Sequence, residues 1–433
     1  MKKTVSSRFF QLPATKIGWW AGGLAIVSIV MLIINTLGLN PFEKMMDETR
    51  IPLQVYDFVM LGSLMAGIVL GIIALTTKRE RSWMVWLFMI PMLFFVAFLV
   101  VALIQRFTFD TRVEVAPTQD VNIPTTPVIF DDDGSPDGTS ALLYLLSNPR
   151  AEVKTVSVSY GEAHPLVYIQ HLANMLEDFG YGDVPLAAGP DAPLSGDNAF
   201  PDFVREASDD FWGFPHDTPE QLYKVNDSAE LMVQTISTSQ KPVTLLVSGA
   251  LTNLAMALRI DPELSENIAA VYIMGGAVNV PGNLNDLLTD TTNSTAEWNF
   301  YVDPLAASEV FNAGLPLFLV PLDATNQVKL AEKDISVWRK GGKISDLAVG
   351  IYQTQMSSWG VEEVEMWDLV TAVIMMNPEY CVFTPLRLEV VTAEGDTQGQ
   401  TRLVDGESNV NVCQNPDGEA IKQELAKVFS SRK

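Results

Sequence analysis

Residues 128–138 read VIFDDDGSPDG. Three apolar, β-prone side chains run directly into Asp131, Asp132 and Asp133, and a Gly-Ser-Pro turn delivers a fourth carboxylate, Asp137. The apolar run predicts a short buried strand over 128–131, and the residues from 139 to 146 predict a helix. Four carboxylates thus crowd one strand end. Like charges so close are costly unless a cation offsets them, and an all-oxygen donor set suits Ca2+ or Mg2+. An acidic turn is also good capping chemistry for a helix N-terminus, and these residues alone leave both readings open.

Working outward, short apolar runs alternate with helical patterns. Strands are expected over 153–160, 184–188, 243–248, 269–274 and 317–320, and helices over 165–179, 252–259 and 304–312. This alternation predicts an α/β fold, a mainly parallel sheet with helices on both faces. Ligands of such sheets bind outside the carboxyl ends of the strands. Two further strand ends carry polar groups, SGALTN from Ser248 and MGGA from Met274. There is no internal repeat.

The charge is unevenly spread. The net charge is −24, yet residues 1–112 hold 11 Lys and Arg against 6 Asp and Glu. The remainder is therefore strongly acidic, which argues against nucleic acid as a partner, since phosphate binding draws on Lys and Arg. A small neutral or cationic ligand, or a divalent metal, is easier to reconcile. The cysteines, Cys381 and Cys413, fit no zinc spacing; they either pair in an oxidising compartment or stay free. His164, His171 and His216 leave little room for a His-based triad.

The first region contains three apolar stretches, 18–37, 58–75 and 83–104, each long enough to cross a hydrocarbon core. Lys2, Lys3, Arg8 and Lys16 precede the first, and Lys78, Arg79 and Arg81 fill the turn between the second and third. The positive-inside rule puts both on the cytoplasmic side. Residues 1–112 are thus expected to be a multi-pass membrane anchor with three transmembrane helices, with the lipid bilayer as partner of residues 18–104. Residues 113–126 read as a linker and 127–433 as an extracytoplasmic domain of the cell membrane. No Asp, Glu, Lys or Arg interrupts the stretches, so a transport role lacks candidate residues. A homo-oligomer stays open.

In order along the chain, VIFDDDGSPDG resembles the acidic signature of the inosine–uridine nucleoside hydrolase family, and LLVSGALTNLAMAL its second characteristic block. YIMGGAVNVPGN, STAEWNFYVDPLAA, PLDATN and MWDLVTA are similar to the branch that prefers purine nucleosides. The resemblance implies a nucleoside hydrolase-like fold and Ca2+-dependent hydrolysis of purine ribonucleosides to base and ribose. It implies that Asp133 is both a calcium ligand and the general base for the attacking water. Asp137 would bind the ribose hydroxyls, and Ser248, through its backbone carbonyl, and Asp368 would bind the metal. Asn283, Glu297 and Asn299 would hold the ribose, with Met274 beneath it. Trp367 would stack on the base, and Phe203 stands roughly where a second stacking ring belongs, with Phe211 and Trp212 as rivals.

One position departs from the pattern. Where the family carries its last Asp, a bidentate calcium ligand, this chain has Gly138. Glu162, at the end of the next strand, is expected to supply the missing charge, with Asp132 and a register slip of Asp137 as the alternatives. The chemistry suits these residue types. N-glycosidic cleavage passes through a sugar cation, and Ca2+ on the ribose hydroxyls would lower the pKa of bound water so that Asp133 takes its proton at low cost. With Trp367 where other branches place His, stacking would favour purines. A nucleoside-binding protein or sensor that does not cleave its ligand is the rival, and Gly138 is its support.

Overall fold

A computed structural model describes residues 124–214 and 223–431, together with Lys16 and Ile73. The chain divides into two compact units, Met1–Val121 and Asn122–Lys433. Of the first unit only Lys16 and Ile73 are described, both helical; apart from Ile73, the stretches 18–37, 58–75 and 83–104 lie outside the described residues. Among the described residues no helix is long and apolar enough to cross a membrane.

The second unit is an α/β structure. Its main strands are β1 (Thr126–Asp132), β2 (Ala151–Val158), β3 (Leu186–Ala188), β4 (Asn226–Asp227), β5 (Val243–Val247), β6 (Ile268–Met274) and β7 (Leu317–Val320). Two short pairs follow, β8 (Lys329–Ala331) with β9 (Glu363–Glu365) and β11 (Leu388–Val390) with β12 (Thr401–Leu403); β10 (Cys381–Leu386) and β13 (Val410–Pro416) return to the large sheet. Among the described residues that sheet runs β10-β13-β7-β6-β5-β1-β2-β3-β4. All neighbours are parallel except β10 and β13.

The strand β1 shows why the sheet is buried on both faces. Side chains alternate along a strand. Val128 and Phe130 enter a core shared with the helices Pro136–Ser147, Pro165–Asp178, Lys343–Trp359, Trp367–Met376 and Gly418–Phe429. Ile129 points the other way, into a core shared with Ser228–Thr238, Thr252–Ile260 and Pro304–Phe311. A strand buried twice reads as a continuous apolar run, as parallel strands covered by helices do; each such side chain contributes about 1.5–3 kcal/mol on burial.

The strand order also fixes where a ligand can sit. From β1 the chain runs to β2, β3 and β4 on one side, then returns to β5 on the other. The order therefore reverses between β1 and β5, where the crevice beyond the carboxyl ends of the strands opens. Thr126 to Asp132 lead into that crevice from β1, and Ser248 follows β5 directly.

Several elements lie beyond the alternation legible in the sequence. The helix expected from 139 begins at Pro136, because Ser135 caps it by accepting from the Gly138 N–H at 2.6 Å and Pro suits the first helical position. The strand expected over 184–188 keeps only Leu186–Ala188. Cys381 and Cys413 are joined as a disulfide, tying β10 to β13 with a Cα separation of 5.8 Å. Closing a loop of this size stabilises by about 2–4 kcal/mol. Reductant is therefore expected to lower the melting temperature; Cys413→Ser should reproduce the loss, after which reductant should have no further effect.

Candidate active site

The acidic turn collapses into the crevice rather than facing water. Asp131, Asp132, Asp133 and Asp137 are all at most 2% exposed, and Asp368 is 5% exposed. Each is held by donors brought from distant parts of the chain. Asp131 Oδ1 accepts from Ser157 Oγ at 2.5 Å and Asn253 Nδ2 at 2.8 Å, while its Oδ2 has no partner. Asp132 accepts from the Gly134 N–H and from Ser248 Oγ, both at 2.9 Å. Asp137 accepts from Tyr352 Oη at 2.5 Å and from the Asp368 N–H at 2.6 Å. Asp368 accepts from Ser135 Oγ at 2.8 Å.

Asp133 sits in a seat made by two glycines. A Cβ at Gly161 would overlap Asp133 Oδ2, and one at Gly249 would lie 2.7 Å from Asp133 Cβ. Backbone from the β2 and β5 ends can therefore close around this one carboxylate. Its Oδ2 accepts the Glu162 N–H at 3.3 Å. Glu162 itself is partly buried, and its carboxyl is pushed up to about 8 by burial and by the charges of Asp132 and Asp137.

Burial raises every member of the group, and mutual repulsion adds to it at Asp132, Asp133 and Asp368. Burial brings Asp131 to about 6, and burial with the Asp131 and Asp137 charges brings Asp132 to about 7. Burial lifts Asp137 to about 6 against its hydrogen bonds from Tyr352 and the Asp368 backbone. Asp133 lies well above the ordinary carboxylate range through burial and then the charges of Glu162 and Asp132. Asp368 does so through burial and then the charges of Asp137, Asp132 and Asp133.

Beside the cluster lie the polar groups of the neighbouring strand ends. Asn299 Nδ2 donates to the Ser248 carbonyl at 3.3 Å and the Met274 carbonyl at 3.2 Å. Glu297 caps the short helix Trp298–Val302 and accepts from the Gly276 N–H at 2.8 Å and the Asn299 N–H at 3.0 Å; burial raises it to about 7. Asn283 Oδ1 accepts the Trp298 N–H at 3.1 Å, which places it next to Glu297. Met274 packs with Ala277 and Leu322, and Trp367 lies against the same group, its Nε1 donating to Asn326 Oδ1 at 3.0 Å. The sequence-predicted residues of five separate segments, Asp133 and Asp137, Ser248, Met274 and Asn283, Glu297 and Asn299, and Trp367 and Asp368, thus meet beyond the strand ends, with Glu162 beside Asp133.

Phe203 is placed differently from the expectation. It projects from the helix Asp202–Asp209 and is 60% exposed, because the buried stripe of that helix is carried by Val204, Arg205 and Ser208. The ring that reaches the acidic turn is Trp212, whose Nε1 donates to the Gly134 carbonyl at 3.0 Å. Phe211 and Trp212 both adopt positive φ, 51° and 56°, a conformation that costs on the order of 1–3 kcal/mol per non-glycine residue; Phe211 packs on His171 and Tyr168 instead. Tyr352 was not legible as a site residue: it lies 215 residues from its partner Asp137 in a helix whose pattern reads as core. His164 and His171 are both engaged with Asp209, and His216 lies outside the described residues.

Among the described residues no three His, Cys, Asp or Glu side chains are already gathered in a cage for an ion. The donor chemistry nevertheless fits a hard cation. The carboxylates are buried, one oxygen of Asp131 is orphaned, and each charge raises its neighbours. None of the described ion pairs includes any of them. Buried charge without a counter-charge costs several kcal/mol per ion, and oxygen donors at a strand end are what Ca2+ and Mg2+ require.

A doubly wound sheet with a buried carboxylate group at its switch point, flanked by amide and aromatic side chains, offers a place for a small polar ligand beyond the strand ends. The family model for inosine-uridine preferring nucleoside hydrolase matches residues 128–423. The pyrimidine-specific ribonucleoside hydrolase RihA of Klebsiella pneumoniae (strain 342) is 32% identical over 316 residues, covering 69% of this chain and 97% of the relative. RihA of Salmonella agona is 32% identical over 282 residues, covering 64% and 87%. Among solved structures, the purine-preferring ribonucleoside hydrolase from Gardnerella vaginalis superposes with a TM-score of 0.63 at 21% identity, over 70% of this chain and 98% of that one. The inosine-uridine preferring nucleoside hydrolase from Bacillus anthracis gives 0.60 at 23% identity, over 71% and 99%. The chain belongs to the inosine-uridine preferring nucleoside hydrolase family and is a ribonucleoside hydrolase. Enzymes of this family are typically metal-dependent.

Proposed function

We propose that the enzyme cleaves the N-glycosidic bond of purine ribonucleosides, with Ca2+ orienting the ribose and Asp133 activating the water. The observation that carries this reading is the convergence of Asp133, Asp137 and Asp368 beside Ser248 and Asn299 at the β1–β5 switch point. Asp133, the Ser248 carbonyl, Asp368 and Glu162 would hold the cation, which when bound polarises water and ribose hydroxyls. Asp133, held between Gly161 and Gly249 at the end of β1, would take the proton from water. Asp137 turns its remaining lone pairs to the ribose hydroxyls, with Tyr352 and the Asp368 backbone fixing its orientation. Asn283, Glu297 and Asn299 complete the ribose contacts, and Met274 forms the floor.

The preference for purines rests on Trp367. It packs against the Met274 group with its indole nitrogen held by Asn326, a ring that can assist the departing base by stacking, and both described histidines are committed to Asp209. Trp367→Ala is expected to reduce kcat/KM for inosine and guanosine by roughly 10–100-fold, the scale of about 1–3 kcal/mol per stacked base, and to affect uridine less. The second reading, pyrimidine preference, is favoured by the names of the sequence relatives. Base release by the full-length chain from inosine, guanosine, uridine and cytidine decides between them; faster turnover of uridine and cytidine would replace the purine reading.

The reading of residues 18–104 as a bilayer anchor, with the catalytic unit outside the cytoplasm, is supported by the Lys and Arg asymmetry of the sequence. The Cys381–Cys413 disulfide agrees with an oxidising compartment. Protease added to intact cells should remove the catalytic unit; full protection on an accessible surface would reverse the topology.

A further inference from the structure

We propose that Asp132 supplies the carboxylate missing at position 138, so that Gly138 and Asp132 form an exchanged pair within the cation site. The inference rests on the calcium reading above and concerns this chain's own departure from the family pattern. A Cβ at position 138 would fall inside the Asp132 carboxylate, overlapping Oδ1 and Cγ and lying 2.6 Å from Oδ2. A side chain at 138 and this placement of Asp132 are therefore mutually exclusive. The converse matters more: the Asp132 carboxylate occupies the very space that the Cβ of any side chain at 138 would need.

The position is held as a ligand's would be. Asp132 closes β1, where its backbone carbonyl accepts the Ser159 N–H at 2.7 Å, so its backbone is fixed by the sheet. One carboxylate oxygen accepts from Gly134 and the other from Ser248 Oγ, which orients the group and leaves lone pairs on both oxygens. Ser248 is also the residue whose carbonyl is assigned to the cation. Glu162, the other source of charge, is partly exposed, and the contact it makes to Asp133 is through its backbone.

The test uses Ca2+ alone as the probe, titrated calorimetrically into the chelator-treated full-length chain, with melting temperature as a second readout. Asp132→Asn is expected to weaken Ca2+ binding by at least about 10-fold, within the range seen when a metal site's supporting groups are lost. In chelator the same variant should melt no lower than the wild type, because one like charge has left the buried group; a purely structural Asp132 would lower that melting temperature. Asp132→Ala should bind Ca2+ poorly, and Gly138→Asp alone should bind poorly because the two carboxylates collide. Combining Asp132→Ala with Gly138→Asp should restore affinity to within a few fold of the wild type. Wild-type affinity in Asp132→Asn, or no recovery in the double variant over Asp132→Ala, overturns the exchange while leaving the calcium reading intact. No Ca2+ binding by the wild type overturns both.

Discussion

Asp133→Asn is expected to lower kcat by at least about 10²-fold at saturating Ca2+, the usual scale for loss of a general base. The substitution isolates basicity from shape. An amide fits the seat between Gly161 and Gly249 as the carboxylate does, and its carbonyl oxygen can still accept the Glu162 N–H. What it cannot do is take a proton from water. Because Asp133 is also assigned to the cation, the assay is run across Ca2+ concentrations, so that a loss of affinity is separated from a loss of chemistry. A fall in kcat that added Ca2+ does not repair, with an unchanged melting temperature, is the expected outcome. A near-normal kcat would remove Asp133 from the proton transfer and leave Glu162, whose carboxyl is also raised, as the next candidate base.

Removing divalent cations is expected to have an effect of comparable size on activity, and a signature in stability that depends on pH. Asp131 and Asp137 are raised to about 6, Asp132 and Glu297 to about 7, and Glu162 to about 8. In the unfolded chain such groups titrate near 4. The native protein thus holds more protons between these limits, and its stability falls with rising pH wherever that is so. In chelator, the contribution of the cluster is fully present below about pH 4 and is lost progressively as pH rises to about 8. A cation reverses the sign, because it binds the ionised carboxylates. At a free concentration 100 times the dissociation constant it adds about 2.7 kcal/mol. Melting curves in chelator and in CaCl2 should therefore diverge between pH 5 and pH 8, the gap widening as pH rises. Superimposed curves, or a gap that narrows, would exclude a cation from the cluster.

Tyr352 and Trp212 show where the sequence stops being informative about the site. Tyr352 lies in the helix Lys343–Trp359, with apolar neighbours on the same face, and nothing local distinguishes it from core. Only the packing of that helix against Pro136–Ser147 brings its hydroxyl to Asp137. Trp212 and Phe203 are both plausible rings nine residues apart on one segment. The choice between them is made by which face of the helix Asp202–Asp209 is buried and by the positive φ at Phe211 and Trp212, neither of which a linear pattern encodes.

The sequence by itself determined the α/β class, the position of the acidic turn at the end of β1 and the segments that converge on it. These are short-range properties: short apolar, β-prone runs alternating with helical patterns mark a parallel sheet covered by helices, and carboxylates after an apolar run mark a strand end. The sequence left open which carboxylate faces which. That is decided by contacts such as Ser248 to Asp132, across 116 residues, and Ser135 to Asp368, across 233. Such contacts exist only because the strand order reverses between β1 and β5 and brings both ends to one crevice. What fills the space beside Gly138 was likewise left open by the sequence: the tertiary structure places the Asp132 carboxylate where a Cβ at 138 would fall, because volume exclusion acts between atoms that the chain's order does not make neighbours.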